Sequence, residues 1–183
     1  MFTNLTNIIR VIRGQIRGYS RAFTLVEMLV VMAIIAVISA SLILYSRTGE
    51  RQIILFNDQA RIVTALSRAK SLGVATFGQA GVPCGYGVHF ETPRKFLIFK
   101  DLASDCNASD NIYSGSGELF ESFELNKSLN FGNLTLTDVI FIPPNPRVVI
   151  TPAQDEAVIN IRTADGTSSL NVKVTSAGQI STQ

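Results

Sequence analysis

The sequence predicts an α+β fold in which one long N-terminal α-helix packs on an antiparallel β-sheet head. Three observations predict it. The run from Phe23 to Tyr45 is predominantly apolar and contains no glycine or proline. The stretch 46–78 repeats apolar residues at helical spacing and contains no proline. From 79 to 183, short runs of alternating apolar and polar residues are separated by glycine, proline and asparagine, which is typical of strands joined by turns.

The first of these segments predicts a membrane span. As a helix, residues 23–45 would extend about 34 Å, which is enough to cross a hydrocarbon core of about 30 Å. Residues 1–22 contain four arginines and no acidic residue, and such a segment remains on the cytoplasmic side. We therefore predict a basic leader at 1–22, a single span at 23–45 and a head on the far side of the membrane.

One charged residue, Glu27, interrupts the apolar run. A cleaved secretory signal peptide is one alternative, because small residues flank Ala40, but the apolar run continues to Tyr45 and a signal peptide has no use for an acid. A plain transmembrane anchor is a second alternative, and it too gives Glu27 no role. A carboxylate at the centre of a membrane costs about 2.5 to 3.5 kcal/mol, and near the interface it still favours a partner. The acid therefore indicates a function.

The stretch 46–78 predicts the second, amphipathic half of the same helix. Its apolar stripe should pack on the head. That stripe consists of Leu55, Ile62, Leu66, Ala69 and Gly73, with Arg51, Asp58, Arg61 and Arg68 expected largely opposite.

Strands follow in the head, residues 79–183. A hairpin is predicted from Tyr86–Thr92 and Lys95–Lys100, joined at Pro93 and Arg94. An alternating run after the Ala-Asp-Gly turn at 164–166 gives the clearest later strand. The further predicted strands are Leu119–Leu125, Leu134–Ile142, Arg147–Thr151, Ala157–Thr163 and Ser168–Thr175.

The two cysteines, Cys84 and Cys106, both follow the span. In an oxidising compartment an even pair favours a disulfide, here closing a loop of about 20 residues and stabilising by roughly 3 kcal/mol. Two free thiols are the alternative.

Residues for catalysis or metal binding are sparse. His89 is the single histidine, and we expect it at the surface on the polar face of a strand. With two cysteines and one histidine there is no zinc set. Asp101, Asp105 and Asp110 share a polar loop, but their spacing matches no calcium loop. We expect neither enzymatic activity nor a cofactor.

The charge of the chain argues against a dedicated nucleic-acid binder. The formal net charge is +2, and the leader arginines supply more than all of it, so the remainder from Glu27 onward is slightly acidic. A nucleic-acid-binding head would be expected to be basic.

The sequence Ala22-Phe23-Thr24-Leu25-Val26-Glu27-Met28 resembles the cleavage and methylation motif of type IV prepilins and type II secretion pseudopilins. This resemblance implies a pilin-like fold, a peptidase cut between Ala22 and Phe23, and N-methylation of Phe23. It makes Glu27 the fifth mature residue, and it implies that Glu27 of one subunit neutralises the terminal amine of its neighbour during assembly. One departure is Ala22, where the family usually has glycine.

Two parts of the head, Tyr86–Phe90 and Val172–Ile180, resemble the GspH/FimT minor pseudopilins. The implied function is a structural subunit of the type II secretion pseudopilus in the bacterial inner membrane, with a periplasmic head. The implied partners are prepilin peptidase, other pilin or pseudopilin subunits, an inner-membrane assembly platform and membrane lipid. A minor pilin of a type IV pilus, used in adhesion, motility or DNA uptake, is one alternative. A generic single-span protein with a binding head is the other.

Overall fold

The computed structural model describes residues 23–78, 83–145 and 147–183. Its helix, α1, runs from Leu25 to Thr76. Within the described residues nine strands follow: β1 (Gly85–Glu91), β2 (Lys95–Asp101), β3 (Leu119–Glu124), β4 (Leu129–Phe131), β5 (Asp138–Ile142), β6 (Arg147–Thr151), β7 (Glu156–Thr163), β8 (Ser169–Thr175) and β9 (Ile180–Thr182).

The strands form two antiparallel sheets, which confirms the predicted α+β class. The five-stranded sheet has the order β3-β2-β1-β5-β6, and the four-stranded sheet has the order β4-β7-β8-β9. The predicted hairpin is present as β1 and β2, with Glu91 opposite Lys95. The sequence reasoning missed β4 and β9, because three residues are too few to show an alternating pattern.

The chain divides into two compact units at Arg47 and Thr48. In the first, the helical segment Leu25–Ile43 is long and apolar enough to cross a membrane, with a mean hydropathy of 2.6. In the second, the remainder of α1 shares a hydrophobic core with both sheets. The predicted stripe is confirmed, because Leu55, Ile62 and the residues that continue it toward Gly73 are buried.

The expected position of Asp58, opposite that stripe, is wrong. Asp58 lies three residues after Leu55 and four before Ile62, so helical spacing puts it on the packed face. Its side chain is 4% exposed. One carboxylate oxygen accepts a hydrogen bond from the Asn126 backbone N–H at 2.6 Å, and the other accepts one from Arg61 at 2.9 Å. These partners make its burial possible.

The other face of the five-stranded sheet is covered by the segment 102–118. Leu97, Phe99 and Ile140 form a small second core there, and Tyr113 packs against them. Cys84 and Cys106 are joined in a disulfide that ties the segment to the start of β1.

Two expectations about this region are wrong. Asp101 does not lie in a free loop: it ends β2, is buried, and accepts a hydrogen bond from Ser109. His89 is half-buried rather than at the surface, with Nδ1 2.8 Å from Asp138 Oδ1. Both differences have the same cause. The alternation of residues along the strand predicts a polar, exposed face, but the 102–118 segment covers that face.

Candidate functional site

Helix α1 begins with a side-chain cap at Thr24. The Thr24 hydroxyl oxygen accepts a hydrogen bond from the Glu27 backbone N–H at 3.2 Å, and the Met28 N–H donates to the Thr24 carbonyl at 3.1 Å. A threonine in this position satisfies one of the N–H groups that a helix leaves unpaired in its first turn. The first regular turn of the helix therefore starts immediately after Phe23 and Thr24.

Glu27 occupies the third helical position, in that first turn. An acid there interacts favourably with the partial positive charge at the helix N-terminus. The pattern Thr-x-x-Glu is also that of a capping box, in which the acid reaches back toward the cap residue. Its side chain is exposed, so it is free to pair with a group outside the chain.

Among the described residues, none covers the apolar segment that follows. Leu25–Ile43 is wholly exposed, from Phe23 just before it to Ile43 at its end. So many large apolar side chains in water would be strongly unfavourable, at about 25 cal/mol for each Å² of apolar surface. The segment therefore requires a lipid or protein environment.

The start of α1 therefore combines a capped first turn, one acidic residue and an exposed apolar surface. The comparison with protein families concerns this same region. The model of the prokaryotic N-terminal methylation motif matches residues 17–43. This motif is diagnostic of type IV prepilin-like proteins. The match implies processing by a prepilin peptidase and assembly with other pilin subunits, and the exposed apolar helix fits a membrane anchor. Comparison with curated proteins and with solved structures gives no match.

The residues predicted for this site lie as follows. Phe23 and Glu27 are at the start of α1, whereas Ala22 lies outside the described residues. Cys84 and Cys106 belong to the head and are far from this site in the chain. The residue that the sequence reasoning missed is Thr24, although the Thr-x-x-Glu spacing was a usable signal for it.

In the head, Asp165 of the β7–β8 turn has a lowered pKa. Hydrogen bonds from the side chain of Thr163 and from the backbone and side chain of Thr167, together with the charge of Arg51, lower the pKa of Asp165 to about 2. Arg51 Nη1 of α1 lies 2.5 Å from Asp165 Oδ2. The pair connects the helix to the four-stranded sheet.

Within residues 23–78, 83–145 and 147–183, no group of three or more histidine, cysteine and acidic side chains is placed to hold a metal ion. Asp105 and Asp110, the remaining acids of the calcium hypothesis, accept hydrogen bonds from neighbouring loop residues. These contacts shape the 102–118 segment.

Proposed function

We propose that this prepilin-like chain is a minor pseudopilin of a type II secretion pseudopilus. The observation that carries its prepilin part is Glu27, within the processing motif and in the capped first turn of an exposed apolar helix. The β-rich head with its Tyr86–Phe90 strand and its Val172–Ile180 tail supports the GspH/FimT branch.

In the proposed mechanism, the peptidase cleaves between Ala22 and Phe23 and N-methylates the new amino terminus. The terminal amine of Phe23 carries a positive charge near neutral pH. Within a membrane, such a charge is strongly favoured to pair with a carboxylate. Glu27 of the adjoining subunit supplies that carboxylate and thereby sets the axial register of the growing filament.

The proposed location is the bacterial inner membrane, with a single span, a cytoplasmic leader and a periplasmic head. The four leader arginines support this orientation. The disulfide between Cys84 and Cys106 also supports it, because disulfides persist in oxidising compartments such as the periplasm. The inner-membrane assembly platform and membrane lipid are the further partners that this location entails.

The second candidate is a minor pilin of a type IV pilus, which the methylation motif supports equally well. A role in binding DNA would favour a head with unpaired basic side chains. Arg51, Arg61 and Arg68 of α1 instead form ion pairs with acids. We therefore propose that the head binds protein partners, has no nucleic-acid ligand, and acts as a structural subunit without catalysis.

The proposal has a two-part test. Co-expression with a prepilin peptidase should yield a mature chain that begins at N-methylated Phe23 in intact-mass and peptide mass spectrometry. Deletion of the gene should then abolish secretion of type II substrates while surface pili persist. A chain that retains residues 1–22 contradicts the prepilin assignment, and loss of pili with intact secretion favours the pilus candidate.

A further inference from the structure

The short strand β9 lies at one edge of the four-stranded sheet, where it pairs with β8. The Asn171 and Gln183 backbones exchange a pair of hydrogen bonds, at 2.9 and 3.0 Å. In an antiparallel pair, such hydrogen-bonded positions alternate with positions whose backbone groups point the other way. The N–H and C=O of Thr182, next to Gln183, therefore point away from β8, and so do those of Ile180.

The backbone groups of Ile180 and Thr182 form the free edge of the sheet. Within residues 23–78, 83–145 and 147–183, no hydrogen bond engages them. A row of unpaired N–H and C=O groups is a template for another strand, and many edge strands carry charged residues or proline that prevent such pairing. The segment from Ser176 to Gln183 contains neither a charged residue nor proline. Charge and proline therefore do not protect this edge.

The outer edges of β4 and β6 are each occupied by another part of the chain. Phe131 N–H of β4 donates a hydrogen bond to the Pro93 carbonyl at 2.8 Å. Val148 N–H of β6 donates one to the Ser176 carbonyl at 3.4 Å. These contacts obstruct the approach of a further strand to either edge.

The edge of β3 is protected by charged side chains. Arg61 of α1 donates a hydrogen bond to the Glu124 carbonyl at 3.1 Å, and Arg68 forms an ion pair with Glu121. A strand added at this edge would have to displace these side chains. Among the sheet edges that the structure describes, β9 is therefore the most accessible to strand addition.

The free edge of β9 is complementary to itself. When two copies align antiparallel with Ser181 facing Ser181, Ile180 of one copy lies opposite Thr182 of the other. The outward N–H and C=O groups of both residues then all find partners, around a two-fold axis perpendicular to the sheet. The side chains stay on their original faces, with Ile180 and Thr182 on the side of their β8 partners Val174 and Val172. No like charges are brought together.

We propose that β9 is a self-association site at which the heads of two copies of this chain pair edge to edge and join their four-stranded sheets into one continuous sheet. The inference goes beyond the proposed function and does not rest on it, because the pairing requires neither cleavage of the leader nor packing of the apolar helix. Such a short strand makes a small interface, so we expect a reversible contact between chains concentrated in one membrane.

Cysteine crosslinking of the full-length chain tests this pairing. The two cysteines of the chain are joined to each other, so an added thiol is the free one. Facing Cα atoms at a non-hydrogen-bonded antiparallel position lie about 4.5 Å apart, within the range that a disulfide spans. In membranes of a strain without prepilin peptidase, oxidation of the Ser181→Cys variant should give a covalent dimer whose two position-181 peptides are linked. Ser122→Cys, at the edge of β3, is the matched control and should give at least tenfold less dimer.

Two variants in the Ser181→Cys background test whether the free backbone edge is responsible. Thr182→Pro removes an N–H that points away from β8, so it should keep the β8–β9 pairing while a partner strand loses its donor. Thr182→Lys keeps this N–H and adds a charge at the edge. Each should lower the dimer yield at least tenfold without changing the urea unfolding midpoint. Thr135→Lys, at an exposed position in the β4–β5 connection, should leave the yield unchanged.

Several outcomes would overturn the self-association. Absence of the Ser181→Cys dimer, or an equal yield from Ser122→Cys, would show that the two edges do not meet specifically. A yield that Thr182→Pro or Thr182→Lys leaves unchanged would exclude backbone pairing. A link from position 181 to a different protein would show that the edge accepts another strand instead. Because the strain lacks the peptidase, each of these outcomes leaves the proposed assembly function standing.

Discussion

Asp58 and Thr24 show how single polar side chains set the geometry of helix α1. Asp58 lies buried in the packed face of the helix and joins it to Asn126 of the β3–β4 connection. Thr24 caps the helix N-terminus and thereby places Glu27 in the first turn. Each acts through hydrogen bonds to a backbone N–H that would otherwise lose its partner.

The Asp58→Ala variant should destabilise the head by about 1 to 3 kcal/mol, because it removes the partly buried hydrogen bond between the Asn126 N–H and a charged carboxylate. Urea unfolding of the full chain in detergent micelles, followed by circular dichroism, measures this. Asp155→Ala, which removes an exposed acid before β7, should change stability by less than about 0.5 kcal/mol. Equal unfolding midpoints for the two variants would contradict the structural role of Asp58.

The Thr24→Ala variant should loosen the first turn of α1. Loss of an N-cap costs about 1 kcal/mol, so the Glu27 and Met28 amides should exchange roughly fivefold faster in micelles. Thr24→Ser keeps the capping oxygen and is the matched control, with exchange close to that of the original chain. If Thr24→Ala exchanged no faster than Thr24→Ser, the cap would have no energetic effect.

At the scale of elements, two of the connections outside the sheet hydrogen bonds join separate parts of the head. The 102–118 segment is attached to the five-stranded sheet by the disulfide and by Tyr113, whose N–H donates to Asp138. The β7–β8 turn is attached to α1 by the Arg51–Asp165 pair. The disulfide closes a long loop and is sensitive to reducing agents. The Arg51–Asp165 pair is electrostatic and is sensitive to pH.

Replacement of Cys84 and Cys106 by serine should lower the free energy of unfolding by roughly 3 kcal/mol, as the chain-entropy model gives for a loop of this size. Their separation in the chain is 22 residues. Urea unfolding with and without dithiothreitol measures the loss, and the double variant should be insensitive to the reductant. An unchanged midpoint for reduced original protein would show that the disulfide adds no stability.

Asp165 should contribute to the pH dependence of stability. Its pKa is lowered from 3.8 to about 2 in the folded chain, so its stabilising effect is complete above about pH 4 and is lost as the pH falls toward 2. Thermal unfolding between pH 5 and pH 2 should therefore show a smaller decline for Asp165→Asn than for the original chain. Asp155→Asn controls for the removal of one negative charge. Parallel curves for all three proteins would refute this contribution.

On the scale of the whole molecule, the chain combines two units with opposite solvent requirements. Leu25–Ile43 exposes its apolar side chains, whereas the unit from Thr48 onward buries a core shared by α1 and both sheets. The first unit is stable only in lipid or against other subunits, while the second has a core of its own. This division suits a protein that moves from a membrane into an assembly.

The Glu27→Gln variant should be cleaved and inserted normally but should fail to enter filaments, because the amide cannot neutralise a terminal amine. The expected loss is at least tenfold in the sheared filament fraction, measured by immunoblot against total cell protein. Glu27→Asp keeps the charge and should retain part of the incorporation. Incorporation of Glu27→Gln at the original level would refute the role of charge pairing in assembly.

The sequence by itself determined the features that depend on neighbours in the chain. The apolar run before Tyr45, the processing motif around Phe23 and the helical stripe through Ile62 are local patterns, and each follows from composition and spacing. The fold class follows from the same patterns, because a periodic helix before alternating strands leaves few ways to bury both apolar faces.

Only the tertiary structure decided features that join distant parts of the chain. Asp58 finds a hydrogen-bond partner in Asn126, which is distant in the chain, and His89 packs against Tyr113 of the 102–118 segment. Folding also brings together the segments that form the Cys84 disulfide and the two sheets. The spacing of residues in the sequence does not predict such contacts, because they depend on how the whole core packs.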